Sequence, residues 1–266
     1  MAMPKRNYQK EMEQVLERLP CGGEPKTLLL HACCAPCSSY VLEYLSSHFA
    51  ITVFYYNPNI SPREEYEKRV REEMRLIREM PVKYPVHFLE GTYDPERYRK
   101  LVRGHEDDPE GGNRCGICFS LRLEEAAKAA KAGGFDYFTT SLTISPLKNA
   151  ARLNTIGEAM GKKYGVAFLN SDFKKREGYH RSIELSREYG LYRQDFCGCV
   201  YSRREAEARR AARDAAAAGT AAEMPRRHSS GCRDIPGAPA FLRKPGCAAG
   251  SAGTERTDGN DQSSGF

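Results

Sequence analysis

The chain has 266 residues, 40% of them hydrophobic, and a formal net charge of +6. That length holds one α/β domain plus extensions. No run approaches the ~20 apolar residues that span a bilayer, and no apolar signal core follows the polar start Met1-Ala-Met-Pro-Lys-Arg6, so the expected location is the cytoplasm. Ten cysteines in such a chain point to metal ligands or redox groups rather than a secreted disulfide framework. The modest positive charge permits an acidic partner such as RNA without demanding one.

Residues 1–20 read as a leading helix, with Tyr8, Met12, Val15 and Leu16 on one face. Cys21-Gly-Gly-Glu-Pro25 is a turn. Leu28, Leu29 and Leu30 form an apolar run too short for a helix and typical of a strand covered on both faces. His31 and Ala32 end it, and Cys33, Cys34 and Cys37 fall in the turn that opens a helix continued by Val41, Leu42 and Leu45. Thiols there feel the positive end of a helix dipole, which favours the thiolate. Ile51 to Tyr56 is a second strand, rich in β-branched and aromatic residues. The loop Asn57-Pro-Asn59 follows, with Ser61 expected to cap a charged helix over 62–79 and Pro62 in its first turn.

Tyr84 to Leu89 reads as a third strand. Asp94-Pro95 opens a helix that ends near Gly104, and the polar loop 104–114 delivers Cys115-Gly-Ile-Cys118 to the head of a helix over 119–131. Phe135 to Thr140 is a fourth strand, Asn149 to Tyr164 a helix and Val166 to Leu169 a fifth strand. A basic loop, Asn170 to Gly178, precedes a helix over 179–189, and Asp195-Phe-Cys-Gly-Cys199 is a tight turn. Strands alternating with helices imply parallel βαβ units with right-handed crossovers, hence a mostly parallel sheet with helices on both faces. From Tyr201 an alanine- and arginine-rich helix is expected to about Ala218. Beyond Gly219 the polar, Gly/Ser-rich composition predicts disorder over 220–266, with Cys232 and Cys247 outside any site. The expected division is a domain over 1–204 and a helix-plus-tail segment over 205–266.

Cys34-Ala-Pro-Cys37 and Cys115-Gly-Ile-Cys118 share the C-x2-C spacing, which lets two thiolates converge on one metal or cluster. Both lie at strand-to-helix junctions, where a parallel sheet brings them to one edge. Spacing alone leaves zinc and iron–sulfur open. The additional Cys33 exceeds what a four-ligand zinc site needs, and the Cys197-Gly-Cys199 pair suits a strained, reducible disulfide.

Taken together, His31-Ala-Cys-Cys-Ala-Pro-Cys37, Tyr55-Tyr-Asn-Pro-Asn59, Arg114-Cys-Gly-Ile-Cys118, Thr139-Thr-Ser-Leu142, Ser145-Pro146, Asp172-Phe-Lys-Lys175 and Tyr192-Arg-Gln-Asp-Phe-Cys-Gly-Cys199 resemble the QueH family, the cobalamin-independent epoxyqueuosine reductases. The resemblance covers roughly residues 7–204. It implies a Rossmann-like (HUP-like) three-layer fold and reduction of epoxyqueuosine to queuosine at the wobble position of tRNA, the last step of queuosine synthesis. It implies a [4Fe-4S] cluster on Cys33, Cys34, Cys115 and Cys118, where spacing alone prefers Cys37 over Cys33. It implies a redox-active disulfide between Cys197 and Cys199, and a second, mononuclear metal ion (iron) beside the cluster.

Deoxygenating an epoxide to an alkene takes two electrons and two protons. Asp172 and Asp195 are the candidate proton donors, each in a matched motif, with Tyr55 and Tyr56 behind them. The electron donor has no signature. The loop Lys174-Lys175-Arg176 with Lys148, Arg152, Tyr179, His180 and Arg181 is the candidate tRNA surface. Two other readings stay open. An ATP-pyrophosphatase-type enzyme would need a Gly-rich phosphate loop where this chain has Cys-Cys-Ala-Pro-Cys, and Pro36 removes an amide. A zinc-stapled RNA-binding module explains Cys34, Cys37, Cys115 and Cys118 but leaves Cys33 and the Cys-Gly-Cys turn without a role.

Overall fold

A computed structural model describes residues 6–20 and 22–222 of the chain, with side chains to 216. Its centre is the Leu28-Leu29-Leu30 run, which forms β1 (Lys26–His31). Around it lie β2 (Phe49–Tyr55), β3 (His87–Glu90), β4 (Tyr137–Thr140) and β5 (Ala167–Phe168). All neighbours are parallel, in the order β3-β2-β1-β4-β5. The chain winds outward from β1 to β3, then returns to the other side of β1 for β4. The carboxyl ends of β1 and β4 therefore flank a topological switch point, where open α/β sheets bind their ligands.

Alternation along β1 decides what packs where. Leu28 and Leu30 point to one face, among Met12 and Leu16 of α1 (Tyr8–Glu17), Val41, Leu42 and Leu45 of α2 (Ala35–Leu45), Leu76 of α3 (Arg63–Glu79) and Leu185 of α7 (Gly178–Glu188). Leu29 points to the other, with Tyr98 of α4 (Pro95–Leu101) and Leu121, Ala126 and Ala130 of α5 (Asn113–Ala132). α6 (Ala150–Tyr164) lies beside α5. The expected three-layer α/β fold is the one observed, and its sheet is wholly parallel.

Several boundaries move for identifiable reasons. The fourth strand starts at Tyr137 rather than Phe135, because Asp136 pairs through its side chain with Thr27 (Thr27 N to Oδ2, 2.9 Å) and Lys26 (2.8 Å). The fifth shrinks to Ala167–Phe168 because the Val166 amide donates to Gly161 O in the cap of α6 (3.1 Å). Ser61 does not cap α3. Pro62 holds the cap position, and the Ser61 backbone is engaged elsewhere, its amide to Gly198 O (3.0 Å) and its carbonyl from Arg203 (2.6 Å). α8 runs over Val200–Ala222, and the compact unit ends at Ala218. Ser202 and Ala206 are buried against the domain and Glu205 pairs with Arg114, while positions 207–216 are exposed. The expected disorder over 220–266 falls, past residue 222, outside the described residues, as do Cys232 and Cys247. No described helix is long and apolar enough to cross a membrane.

Candidate active site

The site begins where β1 ends. Cys34 holds the N-cap position of α2 in extended backbone, and its carbonyl accepts the amides of Cys37 (3.0 Å) and Ser38 (3.1 Å). Pro36 falls in the first turn, where a missing N–H costs nothing. This turn folds Cys37 back toward its predecessors. The sulfurs of Cys33, Cys34 and Cys37 all lie within 4.8 Å of one another, with Cys33 Sγ and Cys34 Sγ 3.8 Å apart. Spacing and resemblance had each favoured two of these thiols; the fold gathers three.

The second pair sits on the first turns of α5. Arg114, buried, gathers the preceding loop by donating to the carbonyls of Glu106 (2.8 Å) and Asp108, and reaches Glu205 of α8 (3.1 Å). Cys115 Sγ accepts the Gly111 amide (3.2 Å). Gly116 leaves the space occupied by the Arg152 guanidinium, which donates to Gly111 O and Gly112 O. Cys115 packs against the cluster containing Cys33 and Cys34, and Cys118 against the one containing Cys199. Neither belongs to the close trio.

The third pair lies in the turn before α8. Its two cysteines are free thiols. Arg69 of α3 donates to Cys197 O (3.0 Å). Gly198 has φ +123°, and a Cβ there would stand 2.9 Å from Ile60 Cγ1. Cys199 Sγ accepts the Ser202 amide (3.3 Å). A cavity of about 500 Å³ opens over the trio, walled by Cys33, Cys34, Cys37, Cys197, Lys148 and Asp195.

The three thiols of the trio are not equivalent. Hydrogen bonds from Cys34 and Cys37 hold Cys33 well below the ordinary thiol range. That same contact with Cys33 pushes Cys34 up to about 12, and Cys37 also rises. Burial pushes Cys118 up to about 12 and raises Cys197. Of the trio, only Cys33 is held low, and the cause is its neighbouring thiols rather than the end of the helix.

The two candidate proton donors part company. Asp195 is on the cavity wall and half-exposed, with Arg210 3.7 Å away. Asp172 lines a different cleft and is held by Lys174 at 2.8 Å. Tyr55 is buried behind the trio and donates to Cys33 O (3.1 Å). Tyr56 meets Arg97 (3.3 Å) on the opposite face of the sheet. Much of the expected RNA surface is internally committed. Arg176 pairs with Glu13, Arg181 with Glu43, and Arg152 straps the loop before α5.

Sequence reading missed the buried charges beneath the thiols. Arg122, 1% exposed, donates to His31 Nε2 (3.3 Å) and Asn57 Oδ1 (2.5 Å). Its signal was present: Arg122 follows Cys118 by four residues on α5, so the two share a face.

A family model for the epoxyqueuosine reductase QueH matches residues 28–205. Among curated proteins, the epoxyqueuosine reductase QueH of Streptococcus pyogenes serotype M1 is 45% identical over 198 residues, covering 74% of this chain and 78% of that protein. Its namesake in Staphylococcus epidermidis is 41% identical over 206 residues, covering 76% and 87%. That of Thermotoga maritima is 38% identical over 182 residues, covering 66% and 90%.

Proposed function

The chain belongs to the epoxyqueuosine reductase QueH family, and on that premise we propose that it reduces epoxyqueuosine to queuosine at the wobble position of tRNA with a [4Fe-4S] cluster held by Cys33, Cys34, Cys115 and Cys118. Cys197 and Cys199 form its redox-active disulfide. The observation that carries this reading is the gathering of thiols at the switch point of the sheet. The trio ends β1, Cys115 and Cys118 open α5, and Cys197 walls the same cavity.

The donor chemistry fits the group. Sulfur is the ligand type that selects iron–sulfur clusters and zinc over harder ions, and the close trio includes no carboxylate. When bound, the cluster supplies single electrons and a Lewis-acidic iron. Cys37 lies within 4.8 Å of Cys33 and Cys34 but outside the proposed ligand set, and offers its thiol to an adjacent mononuclear iron.

The reaction balances through the third cysteine pair. Oxidising the Cys197/Cys199 dithiol to the disulfide releases two electrons and two protons. Removing the epoxide oxygen as water, with formation of the carbon–carbon double bond, consumes the same. An external donor then returns the disulfide to the dithiol, and cobalamin has no part in the cycle. Asp195, on the cavity wall, holds a proton for the departing oxygen. Asp172, tied to Lys174 in the neighbouring cleft, is the second candidate. Lys148 closes the cavity beside the thiols.

The test is purification without oxygen, metal and sulfide analysis, and an assay on tRNA that carries epoxyqueuosine. About four irons and four sulfides per chain are expected, with visible absorption that bleaches under dithionite and conversion to queuosine without added cobalamin. A colourless protein with one tightly bound zinc, not convertible by iron and sulfide, overturns the cluster and returns the zinc-stapled RNA-binding module. Asp195→Asn is expected to lower turnover ~10²–10⁴-fold with unchanged iron content; full activity would pass the role to Asp172.

A further inference from the structure

Arg122 is a buried charge without a carboxylate partner among the described residues. Its guanidinium is in the core, 1% exposed, and its hydrogen-bond partners are the His31 ring and the Asn57 amide. Neither is an anion. The His31 Nε2 accepts from the Arg122 Nε–H, so that nitrogen carries no proton and the ring is neutral. Among the described residues no carboxylate lies within ion-pair distance of Arg122. What face it are sulfurs, those of Cys118, Cys33 and Cys197.

Lys148 repeats the pattern from the other side. It is half-buried on the cavity wall, forms no ion pair among the described residues, and faces Cys197, Cys33 and Cys37. The two cations repel each other and both look onto Cys33 and Cys197. The other buried arginines around the site differ in having carboxylates, Glu65 at 2.7 Å from Arg69 and Glu205 at 3.1 Å from Arg114. Burying a cation among neutral groups is costly, and one buried and one half-buried cation around one set of thiols mark the place of an anion. One thiolate among the free cysteines does not balance two cations. A thiolate-bound iron–sulfur cluster does, and its negative charge grows by one on reduction.

We propose that Arg122 is the buried counter-ion of the thiolate-bound cluster and raises its reduction potential, with Lys148 acting in the same sense from the cavity wall. The inference rests on the reading that these thiols hold a cluster. A fixed positive charge stabilises the more negative, reduced state over the oxidised one. Arg122 is thus a positioning residue: it acts on the substrate through the cluster and does not touch it.

The experiment is a potentiometric titration of the anaerobically reconstituted enzyme, followed by the electron paramagnetic resonance of the reduced cluster. It compares the parent with Arg122→Gln, Arg122→Lys and Lys148→Gln. Arg122→Gln is expected to shift the midpoint to lower potential at unchanged iron content, Arg122→Lys to recover most of that shift, and Lys148→Gln to shift it the same way. An unchanged midpoint in Arg122→Gln overturns the proposal. So do equal shifts in the Gln and Lys variants, which would trace the effect to lost packing rather than charge. Should Arg122→Gln retain no cluster, Lys148→Gln decides, and an unmoved midpoint there overturns the proposal. A parent enzyme that takes up no iron and sulfide overturns the underlying reading, and the counter-ion falls with it.

Discussion

Both carboxylate oxygens of Glu73 are buried without a hydrogen-bond partner. Ser38 stands next to Glu73, but its hydroxyl is donated to Cys34 O (3.1 Å). Burial therefore pushes the Glu73 carboxyl from its ordinary 4.5 up to about 8. Below the ordinary value the group is protonated in both the folded and unfolded chain. Between the two values only the folded chain keeps the proton, so the stability this group contributes falls as pH rises through that window. Replacing Glu73 with Gln removes the dependence. The stability gap between Glu73→Gln and the parent is expected to widen in the variant's favour by about 3 kcal/mol from pH 5 to pH 7. Urea denaturation at the two pH values checks this, and parallel profiles would show that the carboxyl is solvated. His31 titrates with the opposite sign. Its pKa of about 3 lies below the ordinary 6.5, so its contribution is complete above the ordinary value and lost as pH falls toward the folded one. The inward face of α3 was partly legible, since Tyr66, Val70, Glu73 and Leu76 recur at helical spacing. Reading the helix as densely charged hid which two charges, Arg69 and Glu73, lie on that stripe.

At the scale of elements, the turn Cys197-Gly198-Cys199 is held from three sides. Arg69 of α3 holds the Cys197 carbonyl, Ser61 holds the Gly198 carbonyl, and Ser202 in the first turn of α8 holds Cys199 Sγ and the Cys199 carbonyl. Gly198 is required by both backbone and space: its φ is +123°, and Ile60 Cγ1 and Arg69 Nη1 stand 2.9 and 3.1 Å from where a Cβ would go. Gly198→Ala is expected to cost ~1–3 kcal/mol from the backbone conformation alone, with added strain against Ile60. A denaturation midpoint equal to the parent's would mean that the turn relaxes without cost. Strand and helix alternation was legible because each element carries its own period or cap. The cysteine trio was not. The return of Cys37 to Cys33 depends on the Cys34 carbonyl capping α2, a three-dimensional closure that spacing does not encode. Ser61 failed as a predicted cap for a similar reason, its backbone being claimed by residues far along the chain.

For the whole molecule, a net charge of +6 overstates what is free to meet RNA. Arg176 and Arg181 are neutralised by carboxylates of α1 and α2, Arg152 is spent on the loop before α5, and Lys174 is tied to Asp172 and Thr143 O. Lys175 has no carboxylate partner among the described residues. It lines a cleft of about 1030 Å³ that shares Lys148 with the thiol cavity. On the proposed function, a base entering the cavity past Lys148 would leave its flanking phosphates on that cleft, and RNA loops are bound in this manner, bases splayed inward and cations on the backbone. Each phosphate neutralised contributes about 0.7–0.9 to the slope of log K against log salt. Lys175→Ala is therefore expected to lower that slope by about 1 and weaken tRNA binding, with iron content and single-turnover rate unchanged. Arg176→Ala, its neighbour in sequence, is expected to leave the slope alone, because Glu13 already neutralises it. Filter-binding titrations across salt concentrations separate the two. Equal slopes for the parent and Lys175→Ala would move the RNA path off this cleft. A lowered slope in Arg176→Ala would mean that its ion pair with Glu13 opens to admit phosphate.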